Sequence, residues 1–350
     1  MILITKRCSY AFLSLGIALG FVLGGVSQAK ADYRVELDGS YAEGDDPFGD
    51  IDNLILSVEA FLAPVDDSRG PYSEAAFLTR ASSLRYGFDR LDRDLNLDDG
   101  IVLADEEAIK THELSGRYVA VDSGWIATGL IAIPEDRRDL DTTTDGFRIA
   151  AGVGRYISTH TTVEVSLEYA SQDTDFESSQ DCDDFLVALA PTCDMLLLES
   201  DTQADVFGAS VQFRRVGNIG GQTFATTVSA GYSNTDFDID LSQSLVDVDG
   251  EEAPFLVDDI DIFGDIESPS APSIDSWNFV AAGTWYVNRQ LGIDAAYTFE
   301  KADSLDVHGI SAGVGWFVSP NVELRGAYSF TFPDFGSNND LWRLTLRGRF

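Results

Sequence analysis

Histidine and cysteine are scarce in this chain of 350 residues, which has three of each. His112, His160 and His308 are far apart, so no metal-ligand spacing built on histidine exists, and no metal site is expected. No nucleophile elbow, metal-binding motif or phosphate loop is present either, which argues against an enzyme and against a bound cofactor. An Asp–His pair near His112 or His308 could in principle activate water, yet with 59 acidic side chains such a neighbour is expected by chance. The triplet Asp94, Asn96, Asp98 has calcium-loop spacing, but Asp99 stands where that loop needs glycine. Basic residues are also few: 23 Lys and Arg against 59 Asp and Glu give a formal charge of −36, which speaks against a nucleic-acid partner. After the amino-terminal segment, no apolar run approaches the ~20 residues of a membrane-spanning helix.

That amino-terminal segment has its own pattern. Lys6 and Arg7 precede an apolar run from Ala11 to Val26, and "SQAKA" follows, with Ala29 and Ala31 framing an A-x-A site. Residues 1–31 therefore read as a cleaved signal peptide and 32–350 as the mature domain. Cleavage removes Lys6, Arg7, Lys30 and Cys8, so the mature chain is more acidic still. Cys182 and Cys193 remain, within one polar stretch. In an oxidising compartment they are expected to form a disulfide, which would stabilise the loop by about 3 kcal/mol; a thiol metal site is the rival reading.

What the chain does have is alternation with period two. In "TVEVSLEYA", Val163, Val165, Leu167 and Tyr169 oppose Thr162, Glu164, Ser166 and Glu168. "LGIDAAYTFE" and "NVELRGAYSF" repeat the pattern, as half-buried strands do. Strands are expected near 33–43, 51–62, 72–88, 111–121, 124–133, 146–157 and 162–172. Further strands fall near 203–214, 222–233, 274–287, 290–300, 306–318, 321–331 and 340–350. Their connections alternate between compact turns such as "DSG" and "SPN" and long acidic stretches such as 173–202 and 234–273. Long loops at one end only are the mark of a transmembrane antiparallel up-and-down β-barrel, all-β, with about 14 strands (12–16) and acidic extracellular loops. Glycines within strands, Gly152, Gly154, Gly313 and Gly315 among them, would permit close backbone approach.

The carboxy-terminal stretch "LWRLTLRGRF" reads as a strand that must close against the first, because an open edge in lipid leaves backbone groups unpaired. It resembles the carboxy-terminal signal of bacterial outer-membrane proteins. That resemblance implies an assembly signal formed by Trp342, Leu344, Leu346 and Phe350 and read by the barrel-assembly machinery. A second stretch, "FLAPVDDSRGPYSEAAFLTRASSL" at 61–84, resembles a strand–turn–strand segment of the general bacterial porin family of proteobacteria. The resemblance implies an outer-membrane porin of a Gram-negative bacterium, a channel for passive diffusion of small hydrophilic solutes and ions. A substrate-specific channel and a non-conducting barrel used for adhesion or envelope structure stand beside it.

In a barrel, the polar side of each strand lines the lumen. The alternation places Glu36, Asp38, Glu59, Arg80, Glu113, Arg117, Arg148, Glu164, Glu168, Asp294, Glu300, Glu323, Arg325, Arg343 and Arg347 inward, with Arg34 beside them. These are the candidate pore lining, and mixed charge suits either a wet pore or a paired network. No Lys or Arg lies between Arg215 and Arg289, while 234–273 carries twelve acidic residues. Carboxylates at a pore mouth concentrate cations, so a cation preference is expected. Expected partners are outer-membrane lipids and lipopolysaccharide, bridged by divalent cations, and a homotrimer is as compatible with the pattern as a monomer.

Overall fold

A computed structural model describes residues 32–46, 49–95, 107–138, 142–181, 193–247, 273–302, 305–334 and 338–350. The signal segment, Cys182, Asn96 and Asp98 of the calcium-like triplet with Asp99 after them, and all of 248–272 lie outside the described residues, and so do the side chains of Asp94 and Cys193. Fourteen strands follow in chain order: β1 (Asp32–Asp46), β2 (Gly49–Asp66), β3 (Ser83–Leu95), β4 (Glu107–Ala120), β5 (Trp125–Arg138), β6 (Thr142–Ser158) and β7 (Thr161–Asp181). Then come β8 (Cys193–Ile219), β9 (Gln222–Asp247), β10 (Ile274–Tyr286), β11 (Leu291–Ala302), β12 (Leu305–Ser319), β13 (Val322–Pro333) and β14 (Asn339–Arg349). Each pairs antiparallel with its chain neighbours, and β1 pairs with β14, so the sheet is a closed up-and-down barrel. Closure satisfies every strand edge at once.

The outer wall carries the apolar half of each alternation. Leu56, Val58, Ile131, Val153, Leu167 and Val211 are exposed there, although each is large and apolar. Such a continuous exposed belt suits lipid, because water would strongly disfavour it. Aromatic rings gather near the strand ends. Tyr118, Trp125, Trp285 and Trp316 lie toward the short turns, while Phe147, Trp277, Tyr328 and Trp342 lie toward the long connections. The buried apolar clusters sit at one end, around the connection between β2 and β3: Tyr33, Phe61, Val65 and Ala75 form one, and Phe77, Val119, Ile126, Tyr156 and Tyr286 belong to another.

Three features differ from the sequence expectation. Residues 72–78 are not the start of a strand: Tyr72–Glu74 form a 3-10 turn and Ala75–Leu78 a short helix, α1. Pro71 fixes the entry, and the apolar Ala75 and Phe77 gain burial by folding inward rather than continuing the wall. Second, β7, β8 and β9 run well into the stretches 173–202 and 234–273 that read as loops. Acidic density masked the alternation that persists there, as in "DFDIDL" at 236–241. Third, a bulge between Tyr33 and Val35 resets the phase at the start of β1. Tyr33 becomes buried and Arg34 exposed, so Arg34 does not share the inward row.

Candidate functional site: a charged lumen and its plug

The ladders put Glu36, Asp38, Glu59, Glu113, Arg117, Arg148, Glu164, Glu168, Asp294, Glu300, Glu323, Arg325, Arg343 and Arg347 on one continuous face, opposite the apolar belt. Charges on that face meet across strands that are not neighbours, which is open only to side chains turned toward the barrel axis. Arg117 on β4 holds Glu164 on β7 through two hydrogen bonds of 2.6 and 2.9 Å. Arg325 on β13 reaches Asp294 on β11 at 2.6 Å. Both pairs cross a glycine strand. A Cβ at Gly154 would lie 2.6 Å from Val163 O and closer still to Glu164 Cγ, and one at Gly315 would lie 2.7 Å from Glu323 Oε1. The missing side chains let long charged ones lie flat over β6 and β12.

At the seam, Arg347 joins Glu36, Asp38 and Glu323 at 3.2, 2.9 and 3.1 Å. Arg349 shares Glu36 with it, so two guanidiniums compensate the buried Glu323 and the half-buried Glu36 and Asp38. Losing Arg347 would leave Asp38 and Glu323 without their bonded partner. Arg148 and Glu113 pair more loosely, at 3.5 Å. Arg343 has no carboxylate partner among the described residues.

Arg80 is the exception in the predicted lining. It lies in the β2–β3 connection rather than on a strand, because the strand expected from 72 begins only at Ser83. Its guanidinium sits 4.7 Å over the Tyr156 ring, and Nη1 donates to Val121 O at 3.1 Å.

That connection, residues 67–82, lies across the short-turn end of the barrel as a plug. Glu74, only 5% exposed, accepts from Arg214 Nη2 of β8 and from the Tyr286 hydroxyl of β10, both at 2.7 Å. Ser73 Oγ donates to the same hydroxyl at 2.8 Å. Tyr156 of β6 donates to Phe77 O at 2.9 Å, and Arg214 lies 4.6 Å over the Phe77 ring. From the opposite side Arg349 of β14 donates to Tyr72 O at 2.8 Å, bonds Glu36 and stacks over Tyr33 and Phe317. Arg289 clamps the entry by donating to Gly70 O and Asp67 O. Anchors on both walls make the plug a bridge. Burial raises the pKa of Asp67 above the usual carboxylate range, although Arg289 and Arg349 oppose the shift.

On the far side of the plug from the short turns, the lumen keeps a cavity of about 300 Å³ lined by Ser73, Glu74, Arg214, Thr227, Arg325 and Arg347, among others. Another of about 370 Å³ meets Arg85, Asp89, Glu113 and Arg148. Sequence reasoning missed Glu74, Arg214, Tyr286 and Arg349 as a group. The strand reading of 72–88 hid Glu74, and the adjacent Arg214 and Arg215 left the phase of β8 ambiguous.

The histidines take no part in the lumen. Tyr86 and Tyr297 hydroxyls meet His112 and His308 Nδ1 at 2.7 and 2.8 Å, and His308 stacks on Phe332. These are aromatic clusters on the outer wall. Among the described residues the Asp–His pair considered from sequence does not form at either ring, whose described neighbours on the outward face are aromatic. Among the described residues no group of three or more His, Cys, Asp or Glu is placed to hold a metal ion.

No family model and no curated protein matches the chain. Among solved structures it is similar to the outer membrane protein Omp33 of Acinetobacter baumannii, with 14% identity, 92% of this chain and 100% of that chain covered, and a TM-score of 0.48. It is also similar to the Pseudomonas putida toluene transporter TodX (9% identity, 91% and 88% covered, TM-score 0.46). A third is the translocator domain of the Neisseria meningitidis autotransporter NalP, with 10% identity, 98% and 97% covered and a TM-score of 0.45.

Proposed function

We propose that the chain is an outer-membrane porin, a channel for passive diffusion of small hydrophilic solutes and ions, with a preference for cations set at its outer mouth. The observation that carries this reading is the pairing of an apolar outer belt with a polar, charge-lined interior in a closed barrel. On this reading the short turns and the plug face the periplasm, and the long acidic connections face outward. Lipid, lipopolysaccharide phosphates bridged by divalent cations and the barrel-assembly machinery are then its partners, as a monomer or a homotrimer.

The mouth and the lumen pull in opposite directions. Twelve carboxylates in 234–273 with no base among them favour cations, while Arg325, Arg343 and Arg347 favour anions inside. Screening decides how far the mouth acts, since the Debye length is ~8 Å at physiological salt. A KCl gradient across a planar bilayer holding the refolded protein should therefore give a cation-selective reversal potential that shrinks in concentrated salt. Deleting 248–267 should reduce it. An anion-selective potential would show that the arginines govern.

A second reading has its own support. The plug is tied to opposite walls, which favours a barrel that does not conduct and serves adhesion or envelope structure. Discrete conductance steps in the bilayer support the channel; their absence supports the structural barrel.

A further inference from the structure

Six of the seven hairpins that close at the end away from the plug carry the same outward-facing device. A tyrosine on the first strand bonds an acceptor on the second, always two residues before its own register partner. Two of these acceptors are His112 and His308, and the other four are carboxylates. Tyr41 donates to Asp52 at 2.7 Å, Tyr169 to Asp205 at 2.9 Å, Tyr232 to Asp275 at 2.6 Å and Tyr328 to Asp340 at 2.9 Å. The repeats run around the barrel as a collar, interrupted among the described residues only at β5–β6.

The collar marks the edge of the apolar belt. On the outward rows, toward the plug, Asp205 is followed by Phe207, Asp275 by Trp277 and Asp340 by Trp342, all three rings exposed. The ladders set Trp277 opposite Tyr232 and Trp342 opposite Tyr328. Aromatic residues at that height lie where hydrocarbon gives way to headgroups. An interfacial tyrosine normally keeps its hydroxyl proton for the wet side, but here the proton is spent inside the protein. Each carboxylate uses one oxygen on its tyrosine and keeps the other without a partner among the described residues. None of the four is paired with a described Lys or Arg. The collar therefore presents acceptor oxygens and negative charge to the headgroup layer.

We propose that this collar is a docking surface for lipid headgroups that carry an ammonium group, and that it disfavours anionic ones. A primary ammonium brings a positive charge and three N–H donors to carboxylates that lack both. A headgroup with phosphate alone brings only charge of the wrong sign. The proposal rests on the barrel standing in a bilayer and is independent of whether it conducts.

The refolded full chain is placed in phosphatidylcholine nanodiscs containing EDTA and one lipid brominated on its acyl chains. Quenching of Trp277 and Trp342 then reads which lipid gathers at the collar, after Trp125, Trp285 and Trp316 are replaced by phenylalanine. Brominated phosphatidylethanolamine should be enriched about two- to fivefold over brominated phosphatidylcholine, the worth of a half-exposed ion pair. Phosphatidylcholine has the positive charge without the donors, so this comparison isolates the N–H bonds. Brominated phosphatidylglycerol should be depleted. Asp275→Asn with Asp340→Asn keeps an acceptor for each tyrosine and should abolish the enrichment, whereas Asp249→Asn with Glu251→Gln should leave it unchanged. If the first pair does not refold, salt replaces it: the parent's enrichment should fall in concentrated salt, and one indifferent to salt overturns the proposal. Equal quenching by all three lipids, or enrichment that survives the Asp275 and Asp340 changes, also overturns it. A phosphatidylglycerol preference that appears only when calcium replaces EDTA overturns it in favour of a cation-bridged phosphate.

Discussion

Glu74 sits where a carboxylate would normally be unwelcome, and two donors from different strands make its burial tolerable. Replacing it by alanine leaves Arg214 without its partner and Tyr286 with only Ser73. Glu74→Ala is expected to lower stability by about 1–3 kcal/mol, the range for a buried polar group left unsatisfied. If the barrel conducts, the same change should enlarge or destabilise its conductance steps. Urea unfolding in lipid and single-channel recording check the two effects. Asp67 offers a test through pH. Its folded pKa is raised by burial, so folding favours its protonated form, and the stability linked to it is present at acid pH. That contribution is lost as pH rises above the ordinary carboxylate pKa. Asp67→Asn should accordingly raise the unfolding midpoint at neutral pH, with the difference vanishing under acid conditions. An equal difference at both pH values would contradict the assignment.

Within the elements, glycine placement decides which charges can meet. β6 is crossed by Glu164 and β12 by Arg325 and Asp294, because Gly154, Gly313 and Gly315 leave the inner wall bare at those points. Gly154→Ala should push Glu164 off Arg117 and cost about 1–3 kcal/mol, the value of charge-assisted hydrogen bonds. Gly326→Ala is the control, since a Cβ there meets nothing within 4 Å and should be neutral or slightly stabilising. Comparing the two unfolding midpoints measures the effect. The long β7, β8 and β9 follow a related logic: neighbouring strands satisfy one another's backbone groups, so pairing continues as long as period two does, whatever the charge of the alternate residues.

For the molecule as a whole, closure is the feature on which everything else rests. Phe350 closes the seam by donating to Val35 O at 2.9 Å and accepting from Val35 N and Arg34 N at 3.0 and 2.6 Å. Behind it, Arg347 and Arg349 fasten β14 to β1 and to the plug. Deleting Phe350 should therefore impair barrel formation beyond the loss of one apolar side chain. Reduced heat-modifiable gel migration of the deletion variant is the expected readout, and normal migration at normal surface levels would count against it. The Phe350→Leu variant keeps those backbone bonds, so it should migrate far more normally.

The amino-acid sequence alone determined the all-β class, the strand number and the inward face of nearly every strand. Period two is a local property, and in a closed antiparallel barrel each strand's face follows from its own residues. The residues read inward from the sequence share one face of the ladders for that reason, except Arg34, displaced by the bulge, and Arg80, which lies in the β2–β3 connection. What it left open required contacts between distant segments. The plug, the partners of Glu74 and the bulge that turns Arg34 out of the row depend on which walls face one another after closure. Short-range alternation carries no signal for that. A helical turn of four residues such as Ala75–Leu78 is too short to announce itself, and only the apolar space at the barrel's end gives Phe77 a reason to fold inward.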